Sequence, residues 1–230
     1  LDALASGGAD MVVAPAEALF FPVMPSDRYK KTTLIIRTGE EPGMDRVLER
    51  LVIAGYERGY MTEGPGQFSV RGGILDIFPV GSPSPCRIEF FGDMVDSIRI
   101  LDADSQRSVD KIDGIRVPPC RELLTEPEER ERILRNMDVD LSKTVERLNA
   151  FGLGDRAEEL KEDTAVVKAA IATESGTRLL GNYWMYGCET VSLFDYLDKN
   201  CLVVLDNPVR IKEEAERFHG DFIDHYNDRR

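Results

Sequence analysis

The stretch that comes nearest to a catalytic motif is Val203-Val-Leu-Asp206. An apolar strand ending in Asp is the Walker-B pattern of nucleotide hydrolases, in which the Asp holds magnesium and a following Glu orients water. Asn207 stands in place of that Glu, and an amide cannot act as a base. We therefore interpret residues 201–205 as a buried strand, with Asp206 as the N-cap of a helix that starts at Pro208.

Phosphate binding would require a second motif that the sequence lacks. A P-loop, G-x-x-x-x-G-K-[ST], surrounds phosphates with glycine amides and neutralises them with its Lys. No stretch matches it, and Gly152-Leu-Gly154 lacks the Lys and is interpreted as a helix-ending turn. The G-x-S-x-G nucleophile elbow is also absent. The sequence predicts no catalytic residue and no bound cofactor for this chain.

Two sets of side chains have the types for a metal site but not the spacing. The carboxylates Asp93, Asp96, Asp102 and Asp104 have no His neighbours and no EF-hand spacing. The cysteines form no C-x-x-C pair. We interpret the carboxylates as turn and exposed-strand groups and the cysteines as reduced thiols of a cytosolic protein. The cysteines are Cys86, Cys120, Cys188 and Cys201.

The charge argues against DNA binding by this chain. Its formal net charge is −13, within an ordinary globular composition of 42% apolar and 31% charged residues. Residues 26–118 carry 13 basic and 15 acidic groups, whereas residues 119–230 carry 16 and 24. DNA affinity depends largely on Lys and Arg neutralising phosphates. We therefore expect a protein-contacting first part joined to an acidic, solvated second part.

The first residues of the chain and its apolar runs indicate whether the sequence contains a signal-type or membrane-spanning segment. No apolar run approaches the roughly 20 residues that span a bilayer. The chain opens on Leu1 without an initiator Met or a signal-type segment. Both ends fall within helical patterns, and we expect a piece of a longer protein.

The hydrophobic periodicity places short elements before an antiparallel meander. Residues 11–14 predict a buried strand and residues 16–21 a short helix. Residues 34–36 predict a strand, and residues 44–53 a helix that Gly55 stops. Residues 56–60 are interpreted as an extra strand, and residues 115–117 as the last strand of this part.

The meander itself follows from period-two alternation. Strands are predicted over residues 67–71, 74–78, 87–91 and 94–101, with Gly72-Gly73 as a two-residue hairpin turn. That turn pairs Val70 with Leu75 and Phe68 with Ile77 on a core face. A two-residue turn at Gly92-Asp93 would set Glu89 against Asp96, so we expect a longer turn or a bulge there.

Arginine and aromatic side chains share the outer face of this predicted sheet. Alternation sets Ile88 and Phe90 on the core face of the third strand. If the strands are neighbours, Arg58 from the preceding segment joins the outer-face residues near Glu89 and Phe91. Arg with aromatics is the composition of a protein-binding hot spot, and an ordinary exposed face with internal Arg–Glu pairs fits the pattern equally well. The outer-face residues are Ser69, Arg71, Ile74, Asp76, Arg87, Glu89 and Phe91.

The second half is predicted to be mainly helical. Helices are expected over residues 126–137, 141–151 and 157–173, with Pro127 and acidic residues at the first N-terminus. A final long helix is expected from Pro208 onward.

Four short sequence motifs resemble those of the UvrB-homology module of the transcription-repair coupling factors. They are Gly66-Gln-Phe-Ser-Val-Arg-Gly-Gly-Ile-Leu-Asp-Ile-Phe-Pro79, Arg87-Ile-Glu-Phe-Phe-Gly-Asp93, Asp96-Ser-Ile-Arg99 and Ser105-Gln-Arg-Ser108. UvrB shares the frame but typically has Arg-Gly-Asp-Val-Val-Glu-Ile-Phe-Pro, so Gly73 and the Ser105–Ser108 tetrad favour the coupling factors. The resemblance extends over essentially the whole chain, through Val12-Val-Ala-Pro15, Gly55-Tyr-Glu-Arg58 and Leu193-Phe-Asp-Tyr-Leu197.

The resemblance implies a fold of mixed α/β and α+β class. A degenerate, P-loop-type helicase-like α/β domain would contain residues 1–25 and 119–230. A small α+β domain with an antiparallel meander, residues 26–118, would be inserted into it.

The resemblance also implies that the inserted domain binds UvrA. Ser69 stands where an interacting strand of UvrB has Arg, so that contact should be absent. The implied contact residues are Arg58, Arg71, Arg87, Glu89, Phe90, Phe91 and Asp93.

The implied parent is a bacterial cytoplasmic protein with an ATP- and Mg-dependent DNA-translocating motor and an RNA polymerase-binding domain. Its C-terminal domain would mask the UvrA-binding face, and this chain contains none of those segments. Two alternatives are a fragment of UvrB and a general scaffold whose acidic half binds a basic partner. Nucleotide hydrolysis by the chain would contradict the binding-module interpretation.

Overall fold

A six-stranded mixed sheet carries the residues of interest. The structure is a computed structural model that describes residues 1–172 and 183–228. The sheet has the order β2-β3-β4-β5-β6-β7, in which β2 runs parallel to β3 and all other neighbours are antiparallel. Strands β1 and β8 pair separately as a two-stranded antiparallel sheet. The strands are β1 (Leu34–Arg37), β2 (Glu57–Arg58), β3 (Gln67–Arg71), β4 (Ile74–Ile77), β5 (Cys86–Phe91), β6 (Met94–Leu101), β7 (Ser108–Ile112) and β8 (Gly114–Val117).

The predicted meander and its first hairpin register are confirmed. Val70 lies opposite Leu75 and Phe68 opposite Ile77. Both tight turns have a positive φ at their first residue only, +60° at Gly72 and +61° at Gly92. This is the type II′ pattern, whose twist matches that of the flanking strands and which favours glycine at this position.

The expected irregularity between the third and fourth meander strands is a β-bulge. Phe91 lies opposite Met94 and Phe90 opposite Val95, and the register then shifts so that Glu89 lies opposite Ser97. Asp96 is the extra, exposed residue of β6. The bulge removes the carboxylate pair that a regular ladder would have created.

One face of the sheet is buried in the main core. Helix α3 (Met44–Ile53) contributes Val47 and Leu51 to this core, and β1 contributes Leu34. They pack with inward side chains of the sheet such as Phe68 and Ile88. The predicted strand at residues 34–36 and helix at residues 44–53 are thus confirmed.

The sheet edges differ from the prediction. The extra strand expected at residues 56–60 is reduced to β2, because Tyr56 faces the core and Gly59 leaves the ladder after one hydrogen bond to the Phe68 carbonyl. Strand β7 was missed because nearly all its side chains are exposed, so no alternation marks it. The predicted last strand is confirmed as β8.

A helical hairpin follows the sheet in sequence. Helix α4 (Pro127–Ala150) replaces the two helices predicted over residues 126–151, since neither Gly nor Pro interrupts the pattern near Met137. Helix α5 (Gly154–Ala172) follows, and Thr173 of the predicted helix lies outside the described residues. The two helices share a small core around Ile133 and Ile171.

The chain divides into two compact units, residues 31–189 and residues 1–30 with 190–230. The second unit contains α1 (Asp2–Ala5), most of α2 (Ser26–Thr32), α6 (Pro208–Asp228) and 3₁₀ helices at Ala16–Leu19 and Leu193–Tyr196. Another 3₁₀ helix, Trp184–Tyr186, lies in the first unit. Within the second unit the Tyr196 hydroxyl donates to the Met24 carbonyl at 2.6 Å.

Two predicted buried strands are wrong. Residues 11–14 and residues 201–205 form no ladder with any described residue, and their apolar side chains are exposed. The short helix expected over residues 16–21 is the 3₁₀ helix Ala16–Leu19. No described helix is long and apolar enough to cross a membrane.

All four cysteines have free thiols. Burial raises the pKa of the Cys86 thiol and raises that of Cys120 to about 12. Since the thiolate is the reactive form, these two thiols are chemically quiet at neutral pH.

Candidate protein-binding site

The outer face of the sheet presents two adjacent cross-strand rows of polar side chains. Paired residues on neighbouring strands point to the same face, so the register fixes each row. The first row, from β3 to β7, is Ser69, Asp76, Arg87, Arg99 and Lys111. The second row, from β3 to β6, is Arg71, Ile74, Glu89 and Ser97. The register therefore brings the predicted Arg71, Arg87 and Glu89 onto one face.

Arg87 is held in place by a bidentate pair with Asp76 on the neighbouring strand. Its Nε donates to Asp76 Oδ1 and its Nη2 to Asp76 Oδ2, both at 2.7 Å. Asp76 is buried, with 7% of its surface exposed, and Arg87 is half-buried. The hydrogen bonds that Arg87 donates to Asp76 raise the pKa of its guanidinium further, so this group stays charged. Three of the guanidinium's five N–H groups remain for other partners.

Glu89 belongs to a second polar cluster, on the row beside Arg87. The buried Ser97 hydroxyl donates to Glu89 Oε2 at 2.7 Å, and Arg99 Nη2 lies 3.8 Å from the same oxygen. Arg87 and Arg99 are directly opposite, an unfavourable pairing of like charges. Asp76 and Glu89 offset it, because each carboxylate contacts one of the two guanidinium groups.

Arg71 ends β3 and lies beside an aromatic ring. Its Cζ is 5.6 Å from the centroid of the Tyr60 ring, within the distance of a cation–π contact. Arg71 and Tyr60 are both exposed. This arrangement differs from that of Arg87, whose charge is balanced by a buried carboxylate.

Phe91 is the prominent apolar group of this face. It is 78% exposed at the end of β5, beside the half-buried Met94, and Ile74 is half-buried between Arg71 and Glu89. Phe90 is half-buried and packs against the main core. An exposed phenylalanine on the face that also carries Arg71, Arg87 and Glu89 is suited to insertion into a partner's apolar pocket.

Arg58 and Asp93 lie at the margins. Arg58 is exposed on the short edge strand β2, level with Phe68, whose side chain is in the core. Edge strand β2 and strand β5 are three strands apart, roughly 14 Å, so Arg58 does not join the Arg87 cluster. Asp93 is exposed in the β5–β6 turn, where its carbonyl accepts a hydrogen bond from the Gly43 amide at 3.1 Å.

A family model of known proteins matches the part of the chain that contains this face. Residues 34–123, which contain the whole six-stranded sheet, match the family model described as "UvrB interaction domain". The transcription-repair-coupling factor of Bacillus subtilis (strain 168) is 36% identical over 223 residues, which cover 96% of this chain and 19% of the relative. The chain is a homologue of part of the transcription-repair-coupling factors.

Other transcription-repair-coupling factors show the same pattern. That of Staphylococcus aureus (strain Mu50) is 30% identical over 217 residues, covering 94% of this chain and 18% of the relative. That of Haemophilus influenzae (strain KW20 / Rd) is 30% identical over 220 residues, covering 94% and 17%. The chain thus spans about a fifth of the length of the relatives it matches, and the resemblance to the coupling factors is confirmed.

The Walker-B-like stretch of this transcription-repair-coupling factor homologue forms no strand with any described residue. Residues 202–205 are exposed, and Asn207 has φ +56° and accepts a hydrogen bond from the Arg210 amide at 3.2 Å through Oδ1. Asn207, rather than the predicted Asp206, is therefore the N-cap of α6. With no Lys-bearing phosphate loop in the sequence, these residues do not fit ATP and magnesium.

The acidic cluster consists of turn and exposed-strand carboxylates, as predicted, with Asp93 and Asp104 in turns and Asp96 exposed in β6. Ser105 donates from its amide and its hydroxyl to Asp102 Oδ1, at 2.8 and 2.6 Å, and these hydrogen bonds lower the pKa of Asp102. Among residues 1–172 and 183–228, no group of three or more potential ligand side chains could hold a metal ion.

Four residues that shape the face were missed as site residues. Asp76 was placed on the outer face but not paired with Arg87, and Ser97, Arg99 and Tyr60 were not included. The β4–β5 register decides the pairing of Asp76, and the connection of residues 78–85 gives no sequence signal for it, whereas the β5–β6 register with its bulge places Ser97 and Arg99. A regular strand over residues 56–60 would not have put Tyr60 next to Arg71.

Proposed function

We propose that the outer face of the sheet binds UvrA. In this proposal the chain is a non-catalytic, UvrB-like module of a bacterial cytoplasmic coupling factor, which recruits UvrA to a stalled RNA polymerase for nucleotide excision repair. The match of residues 34–123 to the UvrB interaction domain supports a repair-protein partner. The homology to transcription-repair-coupling factors supports the setting in transcription and repair.

The observation that carries the proposal is the arrangement of Phe91, Arg71 and Arg87 on one face. Phe91 is largely exposed, and the two guanidinium groups stand on neighbouring rows, one over Tyr60 and one on Asp76. Arg and aromatic residues dominate the binding energy of protein interfaces when a partner desolvates them. Glu89 and Asp93 add acceptors that set the register of a partner.

Other parts of the parent's activity belong to the proposal as well. The motor that uses ATP and magnesium, the contacts with RNA polymerase and DNA, and the C-terminal domain that masks the UvrA face would lie in segments outside this chain. The helicase-like assignment of residues 1–25 and 119–230, and the inserted domain at residues 26–118, stay predictions.

Retention of UvrA by the immobilised chain tests the proposal, with Arg71→Ala as the decisive variant. We expect the wild-type chain to retain UvrA and Arg71→Ala to bind about thirtyfold more weakly, since a desolvated hot-spot Arg contributes about 2 kcal/mol. Arg135→Ala, which removes an exposed guanidinium from α4, is the matched control and should retain UvrA fully. Absence of UvrA binding by the wild-type chain would contradict the proposed function.

A further inference from the structure

Tyr60 is the most exposed aromatic residue of the outer-face region. It is 88% exposed, in the segment that connects β2 to β3, and the Arg71 guanidinium lies over its ring at 5.6 Å. Burial does not explain the position of this ring, because little of it is covered. The contact between the Tyr60 ring and the Arg71 guanidinium is the interaction from which a role for the ring is inferred.

The segment that carries Tyr60 is fixed to the sheet two residues later. Thr62 is 2% exposed, and its Oγ1 lies 3.1 Å from Ser69 Oγ and 3.2 Å from the Asp76 carbonyl oxygen. Thr62 therefore covers part of the first polar row, which explains why Ser69 is buried on a face expected to be open. The backbone next to Tyr60 is held in one place as a result.

A second contact reaches the same segment from the β6–β7 connection. Gln106 Nε2 donates to the Thr62 carbonyl at 3.3 Å and to the Ala103 carbonyl at 3.0 Å. Gln106 itself has φ +56°, in the left-handed region that a residue with a side chain seldom adopts. The Ser105–Ser108 tetrad, which the UvrA contacts leave unused, thus includes a residue bonded to the Tyr60 segment.

We propose that Tyr60 is a positioning residue for Arg71, and that Thr62 and Gln106 hold the segment that places it. The inference rests on the proposed binding of UvrA and names a residue through which that binding is tuned. The ring restricts the rotamers of the Arg71 side chain and keeps its guanidinium raised from the sheet. A partner then meets a group that is already oriented, which reduces the conformational entropy lost on binding.

A double-mutant cycle on UvrA binding tests the role of Tyr60. Tyr60→Ala should weaken binding about fivefold in the wild-type background and less than about twofold in the Arg71→Ala background, because a positioning residue acts only through the group it positions. Tyr60→Phe keeps the ring and should restore most of the affinity. Circular dichroism of each variant verifies that the fold is retained.

The outcomes separate three cases. Equal weakening by Tyr60→Ala in both backgrounds would mean that Tyr60 contacts the partner on its own, and it would overturn the positioning role. Wild-type affinity of Tyr60→Ala would overturn it as well. Failure of the wild-type chain to bind UvrA would overturn the proposed function, and this inference would fall with it.

Gln106→Gly examines the support of the segment separately. Glycine tolerates φ +56°, so this variant removes the Thr62 contact without adding backbone strain. We expect the circular dichroism of the folded chain and about threefold weaker UvrA binding, because the segment that places Tyr60 loses one of its contacts and Arg71 is less well oriented before binding. Undiminished binding would overturn the part assigned to Gln106.

Discussion

Phe91→Ala should weaken UvrA binding about thirtyfold and leave the fold intact. The ring is 78% exposed, so its removal creates no cavity in the core. In the complex the same ring, on the face that also carries Arg71 and Arg87, would be desolvated, and an aromatic residue buried in this way typically contributes about 2 kcal/mol. Titration calorimetry with UvrA measures the change, and thermal unfolding verifies the fold.

Phe151→Ala is the matched control for this prediction. Phe151 is 79% exposed in the turn between α4 and α5, so it loses the same chemical group at the same exposure. We expect wild-type affinity for this variant. A comparable loss from both variants would indicate a general effect of surface aromatics and would contradict the assignment of the site to the sheet.

Asp76→Ala should lower the free energy of unfolding by about 2 kcal/mol. The substitution leaves the half-buried Arg87 without the two 2.7 Å hydrogen bonds that compensate its desolvation, and an uncompensated charged group costs about 1–3 kcal/mol. Urea unfolding measures the loss. Asp96→Ala, which removes the exposed carboxylate of the bulge, should unfold close to the wild-type midpoint.

The Arg87→Ala variant completes the test of this pair. If Asp76 and Arg87 compensate each other, the double variant is destabilised by less than the sum of the two single variants. Strict additivity, or an Asp76→Ala variant as stable as the wild type, would mean that the bidentate pair contributes nothing to folding.

The first hairpin shows how much of the strand register can be predicted from the local sequence. Gly72-Gly73 allows one tight turn between two alternating segments, and that turn alone fixes which residues are opposite. The core face and the outer placement of Arg71 followed from it. An irregularity between the third and fourth strands followed from the same logic, because a regular register would have opposed two carboxylates, but the choice between a longer turn and a bulge did not.

Contacts between residues that are separated by longer connections could not be predicted from the local sequence. The pairing of Asp76 with Arg87 requires the β4–β5 register, which residues 78–85 leave open. The contact between Tyr60 and Arg71 requires the backbone to leave the ladder after β2 and return through Thr62. Neither turn chemistry nor periodicity encodes such a path.

The two wrong strand predictions share a physical cause. An apolar run such as residues 201–205 has the composition of a buried strand, but a strand also needs a neighbour for its backbone groups. No described residue supplies that neighbour, and the side chains stay exposed. The composition of such a segment predicts its preference for a buried strand, but it does not predict whether a neighbouring strand is available.

Site-specific photo-crosslinking tests the central claim most directly. The chain is prepared with p-benzoylphenylalanine in place of Phe91 or of Phe151 and irradiated with UvrA. The benzophenone at position 91 should form a covalent adduct with UvrA, and the one at position 151, equally exposed in the α4–α5 turn, should not. Adducts from position 151 but not from position 91 would contradict the account, because UvrA would then contact the helical hairpin rather than the outer face of the sheet.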